Sequence, residues 1–250
     1  MVPCYLINLD RSPDRLAFIS RRLQSLGIQF TRLAAVDGKL LPEAERASFI
    51  AARPRDGRSW MDGQIGCFMS HLSAWEEIAG GSDPFAVVIE DDVHVSDATP
   101  VFLRDTSWIP ANADIVRLES TGQWLTLGKA EAKFADRLVQ RVKSPAWATG
   151  GYIVSKAAAS TLLAVEPRLH TPVDDFLFNL ASSQVARRLK VYQVVPALVE
   201  QDKFIADQSA SKGFGSDIET GAINQSLQGL SNLRRAITST LLGKSRVEFR

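Results

Sequence analysis

The segment Phe85-Ala86-Val87-Val88-Ile89 is the clearest strand in the chain, and it runs without a break into Glu90-Asp91-Asp92. A continuous apolar run of this kind belongs to a central strand covered on both faces, so it calls for helices above and below a sheet. The remaining sequence supplies them. Residues 4–9 form a second apolar run that ends at Asp10-Arg11-Ser12-Pro13, where Pro13 suits the first position of a helix and Ser12 its cap. Leu16, Ile19, Leu23 and Leu26 then recur at helical spacing as far as Gly27. Residues 30–36 read as another strand, and Pro42 opens a short helix that ends near Arg53-Pro54. Ile65, Phe68, Met69, Leu72, Trp75 and Ile78 make a helical stripe stopped by Gly80-Gly81. Further strands are expected at 114–118, 151–154 and 191–195, with an alanine-rich helix from Ser155 and one helix from Pro172 to Val185. About six strands alternating with five helices specify an α/β layered domain.

Composition removes several function classes. The 250 residues are 45% hydrophobic and 23% charged, enough for a buried core and too apolar for bulk disorder. Twenty-nine Lys+Arg against 28 Asp+Glu give a net charge of +1, which provides no global field for nucleic acid. Cys4 and Cys67 cannot build a disulfide framework, so a reducing compartment is expected. The first residues lack the basic region of a signal peptide, and no window approaches 18 uninterrupted apolar residues, so the expectation is a soluble, cytoplasmic protein. Residues 1–205 read as the α/β domain. Residues 206–250 read as a Ser/Gly-rich linker or lid followed by a basic amphipathic C-terminal helix, with Ile223, Leu227, Leu230, Leu233, Ile237 and Leu241 at helical spacing. Arg234, Arg235, Lys244, Arg246 and Arg250 face only Glu248 in residues 221–250. That segment packs on the domain or a partner subunit, or makes a peripheral contact with an anionic membrane surface.

Ligands of open α/β sheets sit beyond the carboxyl ends of strands. Two such ends carry polar clusters here: Asn8, Asp10, Arg11 and Arg15 after the first strand, and Glu90, Asp91 and Asp92 after the strand at 85–89. Three adjacent carboxylates repel one another unless a cation or donor groups compensate. Glu90 and Asp92 project to one side of an extended backbone, an arrangement suited to Mg²⁺ or Mn²⁺ shared with substrate phosphates. The plainer reading is an acidic turn with Asp92 as a cap. His94 is either a third ligand or an ordinary surface residue. A second pair, Asp174-Asp175, stands at an expected helix N-terminus, where the dipole accounts for one carboxylate and general-base chemistry could use the other. His71 beside the apolar stripe reads first as a hydrogen-bonded residue of the core or one that supports a site from behind, and His170 stays unassigned. No GxGxxG, GxxxxGK[ST], GxSxG, CxxC or HExxH motif occurs, which leaves dinucleotide, phosphate-loop, α/β-hydrolase and zinc sites without support.

Taken in order, these segments resemble glycosyltransferase family 25, the bacterial lipooligosaccharide and lipopolysaccharide glycosyltransferases. The matching pieces are Tyr5-Leu6-Ile7-Asn8-Leu9-Asp10-Arg11-Ser12-Pro13-Asp14-Arg15, Ala35-Val36-Asp37-Gly38, and Gly63-Gln64-Ile65-Gly66-Cys67 with Ser70-His71-Leu72 and Trp75. Val88-Ile89-Glu90-Asp91-Asp92-Val93 follows, with weaker echoes at Asp114-Ile115-Val116, Gly150–Ser155, Pro172–Asp175 and Val195-Pro196. The likeness covers residues 4–202. It implies a GT-A-like fold, a Rossmann-type α/β/α sandwich with a mostly parallel sheet. It also implies transfer of galactose or glucose from a UDP-sugar to a saccharide hydroxyl of a surface glycan or lipid-linked acceptor, with inversion. On that resemblance Asp92 and Glu90 are metal ligands for Mn²⁺ or Mg²⁺. Asn8, Asp10, Arg11, Arg15, Asp37 and Asp91 lie where the nucleotide is bound, and Asp175 or Asp174 is the base, with Asp175 preferred. A lipid-linked acceptor would place the enzyme on the cytoplasmic face of the inner membrane, touched through residues 221–250. The loop at 53–63 could fold over the donor, and Trp60 or Trp124 could stack on the acceptor or simply pack. The alternative is a catalytically silent saccharide- or nucleotide-binding protein of the same fold. A collagen-modifying galactosyltransferase and a nucleotidyltransferase rank below it.

Overall fold

The computed structural model describes residues 1–52, 61–165, 171–205, 209–215 and 243–250. Most of the 53–63 loop, Trp60, His170 and nearly all of the expected C-terminal amphipathic segment lie outside the described residues. In chain order the elements are β1 (Cys4–Asn8), α1 (Pro13–Ser25), β2 (Thr31–Ala34), α2 (Glu43–Ala52), α3 (Asp62–Gly80), β3 (Phe85–Glu90) and β4 (Val93–Val95). There follow α4 (Thr99–Leu103), β5 (Ile115–Arg117), β6 (Glu119–Ser120), β7 (Trp124–Leu125), β8 (Leu127–Phe134), β9 (Arg137–Val142), β10 (Gly151–Ser155) and α5 (Lys156–Ala164). The last described elements are α6 (Val173–Phe178), α7 (Gln184–Arg188), β11 (Val191–Val195), β12 (Val199–Gln201) and β13 (Ser245–Arg246).

Eight strands form one sheet in the order β2-β1-β3-β10-β5-β11-β9-β8. Tracing the pairings, six strands share one direction and β10 and β9 run against them, so the sheet is mixed, with three parallel and four antiparallel neighbouring pairs. Side chains alternate across it. Ala86 and Val88 of β3 join a core with Phe68, Trp75 and Ile78 of α3 and Leu162 of α5, while Val87 and Ile89 join the opposite core with Ile19 and Leu23 of α1 and Phe102 of α4. The expected α/β/α sandwich is therefore what the apolar pattern builds. Among the described residues no helix is long and apolar enough to cross a membrane.

Local expectations fared unevenly. Gly27 closes α1 in the left-handed region at φ +67°, and Ser155 caps α5 by accepting from the Ala158 N–H. Ser12 stands at the N-cap of α1, but its side chain makes no capping bond. The single helix expected over 172–185 is two helices. Asn179 Oδ1 accepts the N–H groups of Ala181 and Ser182, and Ser183 starts α7 by capping Ala186. The β8–β9 hairpin and a small sheet in the order β4-β12-β6 were not foreseen.

The chain's last described residues are sewn to the body. β13 pairs with β7, Ser120 Oγ donates to Val247 O at 2.7 Å, Ala197 N to Glu248 O at 2.7 Å, and Arg137 Nη2 to Arg250 O at 2.8 Å. Val247 itself is buried in the α3-side core.

Candidate active site

The carboxyl ends of β2, β1 and β3 lie side by side, and the amino end of the reversed β10 continues the row, because Ile7 pairs with Glu90 and Gly151 with Ile89. Two clefts open on this edge. Asn8, Arg11, Arg15, Asp37 and His71 line the first, and Trp147, Ala148, Thr149 and Asp174 line the second. Both are open concave clefts lined by polar and apolar side chains, the form that small-molecule sites take. Cys67, Glu90, Gln201 and Lys203 belong to both walls, so the clefts meet at Glu90.

Each member of the carboxylate triplet has its own partners. Glu90 Oε1 accepts from Thr149 Oγ1 at 2.7 Å and lies 3.1 Å from His71 Nε2, while its Oε2 accepts from Gln201 Nε2 at 3.1 Å. Asp91 Oδ2 accepts from Asn8 Nδ2 at 2.6 Å, and Arg15 Nη1 stands 3.4 Å from Oδ1. The Asn8 amide oxygen takes Arg32 Nε at 2.9 Å, which fixes its orientation. Asp92 Oδ1 accepts from the same Gln201 amide at 3.2 Å. Gln201 arrives there because β12 pairs with β4 in the register Gln201↔Val93.

His71 is set by a chain of donors. The indole of Trp75 can only donate, and does so to Tyr152 Oη at 2.9 Å. The Tyr152 hydroxyl is then free to donate to His71 Nδ1 at 2.8 Å, which leaves the proton on Nε2 facing the Glu90 carboxylate. His71 is completely buried. Its role is thus to hold Glu90 from behind, as a hydrogen-bonded residue of the core that supports the site.

Burial opposes charge on all three acids, and the partners decide the outcome. For Glu90 the hydrogen bonds from His71 and Thr149 and the nearby Lys203 charge outweigh burial, and its pKa falls below the ordinary value. For Asp91 burial wins over Asn8 and Arg15, and the pKa rises. Asp92 is pushed up to about 7 by burial and then by repulsion from Glu90 and Asp91. A buried carboxylate that cannot comfortably ionise beside two others is short of positive charge.

The donor set fits a hard divalent cation. Asp92 and Glu90 offer carboxylate oxygens on the same wall, and Gln201 Oε1 is a buried oxygen with no hydrogen-bond partner among the described residues. Cys67, His71 and Glu90 also place ligand atoms within 4.8 Å of one another. Burial and then the charges of Glu90, Asp174 and Asp92 hold the Cys67 thiol well above its usual range.

The other expected site residues are distributed as follows. Arg11 and Asp37 line the first cleft as an ion pair at 2.6 Å, and although burial raises Asp37, Arg11 and the Lys39 N–H bring its pKa below normal. Asp10 points away from the cleft, 81% exposed and paired with Arg32. Asp174 lines the second cleft and accepts from Ala148 N at 3.2 Å and Asp175 N at 2.9 Å; burial, then Asp175 and Glu90, raise its pKa. Asp175 instead accepts from Asn179 Nδ2 at 2.7 Å and is not part of the cleft lining. His94 turns to Asp202 at 2.7 Å, and Asp202 in turn accepts from Ser211, Lys212 N and Phe214 N. Trp124 sits on β7 against Arg246 of β13, away from both clefts. Thr149, Gln201 and Lys203 were not anticipated, because only tertiary register brings them to the triplet.

The profile of glycosyltransferase family 25 (LPS biosynthesis protein) matches residues 1–177. Lacto-N-neotetraose biosynthesis glycosyltransferase LgtB of Neisseria gonorrhoeae is 31% identical over 226 residues, which cover 84% of this chain and 78% of that protein. Procollagen galactosyltransferase 1-B of Xenopus laevis is 28% identical over 240 residues, 88% of this chain but only 38% of that longer protein. Among solved structures, a glycosyltransferase involved in the glycosylation of the major capsid of PBCV-1 aligns with a TM-score of 0.42 and 11% identity over 80% of this chain and 91% of its own. The profile match alone runs from β1 through the Glu90-Asp91-Asp92 triplet to Asp174, most of what lines the two clefts, and the chain belongs to glycosyltransferase family 25 as an enzyme of glycosyl transfer.

Proposed function

We propose that this enzyme moves a hexose, galactose or glucose, from a UDP-sugar to a saccharide hydroxyl of a lipopolysaccharide-type acceptor, in one inverting displacement. The observation that carries the reading is the buried triplet at the junction of two clefts, with the Gln201 amide bridging Glu90 and Asp92. One relative is named for lacto-N-neotetraose biosynthesis and another as a galactosyltransferase, which supports a hexose donor.

In this reading the first cleft receives the nucleotide. Arg15 and Arg11 present guanidinium groups toward the diphosphate, Lys203 adds a charge at the junction, and Asn8 keeps Asp91 turned to Arg15. Asp92 and Glu90 would hold Mn²⁺ or Mg²⁺, whose charge when bound offsets the negative charge that builds on the departing UDP. The second cleft receives the acceptor. Asp174, on its wall and oriented by two backbone N–H groups, takes the proton from the attacking hydroxyl, a role it fills better than Asp175, which is engaged with Asn179. A lipid-linked acceptor places the enzyme on the cytoplasmic face of the inner membrane, with the basic residues of 221–250 as the contact.

The test compares UDP release from UDP-galactose, UDP-glucose and UDP-N-acetylhexosamines in Mn²⁺, Mg²⁺ or EDTA, for wild type and Asp92→Ala. Metal-dependent release from one donor, reduced at least a hundredfold in the variant, is the expected result. Neither release nor UDP binding by wild type would overturn the reading and favour a catalytically silent saccharide-binding protein.

A further inference from the structure

Trp147 is an exposed aromatic side chain beside a cleft. It is 53% exposed, and it stands on the wall of the second cleft. The backbone behind it is heavily fixed. The buried guanidinium of Arg117 donates Nη2 to Trp147 O at 2.7 Å and Nη1 to Ala148 O at 2.9 Å, and it lies 4.4 Å over the ring of Phe178. Ala148 adopts φ +67°, a left-handed conformation that a residue bearing a Cβ adopts only at a cost. Its N–H holds Asp174 at 3.2 Å, and the next residue, Thr149, donates to Glu90 at 2.7 Å. One rigid turn therefore ties an exposed indole, the cleft carboxylate and the shared carboxylate to a single frame.

Hydrophobic burial would draw an indole inward. Here a buried cation and a strained alanine keep it outside, facing an aqueous cleft. Of the apolar residues that share the cleft with it, Met61 is 36% exposed and Val173 is buried, so the exposed apolar patch is small, matches one flat ring and is far below a protein-docking surface. The surroundings select the kind of ring. Glu90 and Lys203 are common to both clefts, so what distinguishes the second is Asp174, which accepts hydrogen bonds from hydroxyls, and the absence from its lining of Arg11 and Arg15, which belong to the other cleft.

We infer that Trp147 is the stacking platform of an acceptor subsite and takes the C–H face of a neutral pyranose ring, with Asp174 accepting one of that ring's hydroxyls. This rests on the reading that the second cleft receives the acceptor. The hydrogens of a sugar's ring C–H bonds carry partial positive charge, and they meet the negative face of the indole as cations and aromatic edges do. The platform sets which end of the acceptor enters, and so selects the hydroxyl that reaches Asp174.

Saturation-transfer NMR and titration with methyl β-D-galactopyranoside, methyl β-D-glucopyranoside and methyl β-lactoside, in the presence of UDP and Mg²⁺, test this directly. UDP affinity is measured on the same samples. For wild type, magnetisation should pass from the protein to the C–H protons of one ring face. Trp147→Ala should raise the saccharide Kd about tenfold and abolish that face selectivity. Trp147→Phe should recover to within about threefold, and UDP affinity should stay within twofold throughout. Saccharide binding unchanged by Trp147→Ala, or no saccharide contact in a protein that binds UDP, would overturn the inference while leaving the glycosyltransferase reading intact. A loss of UDP affinity parallel to the saccharide loss would instead make Trp147 a nucleobase platform and equally overturn it. Absence of UDP binding by wild type would remove the reading on which it rests.

Discussion

Replacing Gly66 by alanine sets two effects against each other, and the structure says which one wins. Gly66 lies inside α3, where an alanine is favoured by about 1 kcal/mol on intrinsic helix propensity. A Cβ at this position, however, would stand 2.3 Å from Val36 O and 2.7 Å from Gly38 N, both backbone atoms. Ordinary contact begins near 3.4 Å, so the helix and the 36–38 segment must part by about 1 Å. No side chain can rotate aside to relieve this. Overpacking against fixed atoms costs about 1–3 kcal/mol, and a clash with two backbone groups belongs at the upper end, so the net effect is a loss of about 2 kcal/mol. Gly80, at the far end of the same helix, has nothing within 4 Å of its Cβ position and serves as the control, with an expected gain of up to about 1 kcal/mol. The displacement also moves Ser70, whose hydroxyl accepts from Val36 N at 2.9 Å, and His71, one turn beyond Gly66, so UDP affinity should fall with stability. Urea unfolding of wild type, Gly66→Ala and Gly80→Ala, with UDP titrations on each, is the assay. A Gly66→Ala protein as stable as Gly80→Ala would refute the argument that close backbone approach fixes this helix.

Glu200, on β12 between β4 and β6, has its carboxyl pushed up to about 7 by burial against the weaker pull of Arg246 and Ser120. Between the unfolded value near 4.5 and this value the folded chain binds more protons, so stability falls as pH rises through that window. With the partial exposure of this side chain taken into account, Glu200→Gln should gain about 1 kcal/mol at pH 8 and almost nothing at pH 4.5; an equal gain at both would contradict the assignment. Tyr152→Phe leaves Trp75 Nε1–H and His71 Nδ1 without partners in the core, and should cost about 2–4 kcal/mol in chemical unfolding, whereas a loss below 1 kcal/mol would argue against the donor chain described for His71.

The parts of the fold that were legible in the sequence are those where one strong signal settles the matter. β1 and β3 are continuous apolar runs, α1 and α3 carry apolar stripes closed by glycines, and Ser155 caps α5. The β8–β9 hairpin was hidden because its strands mix lysine, glutamate and arginine with small apolar residues, and its turn uses Ala135 at φ +49° where a glycine would have announced it. β4, β6 and β12 are two or three residues long, too short for any periodicity. At the site, Glu90-Asp91-Asp92 stood out because charge follows directly on a buried strand. Gln201 and Thr149 did not, since a neutral polar residue gains its meaning only from the strand register that sets it against Glu90. Trp147 was passed over in favour of Trp60 and Trp124, because exposure and the Arg117 tether behind it are tertiary facts.

The stitching of residues 245–250 to β7, Ala197 and Arg137 alters what the end of the chain is mechanically. The 211–214 segment is held on Asp202 and β13 is held on β7, so the chain is anchored to the body on either side of residues 216–242. Cutting the chain at 221 would therefore do more than remove an appendage. It would withdraw Val247 from the core, leave Ser120 and Arg137 without their carbonyl acceptors, and expose an edge of β7. An internal excision between these anchors leaves residues 243–250 in place, and it is the form of deletion that isolates the contribution of the intervening residues, Arg234 and Arg235 among them.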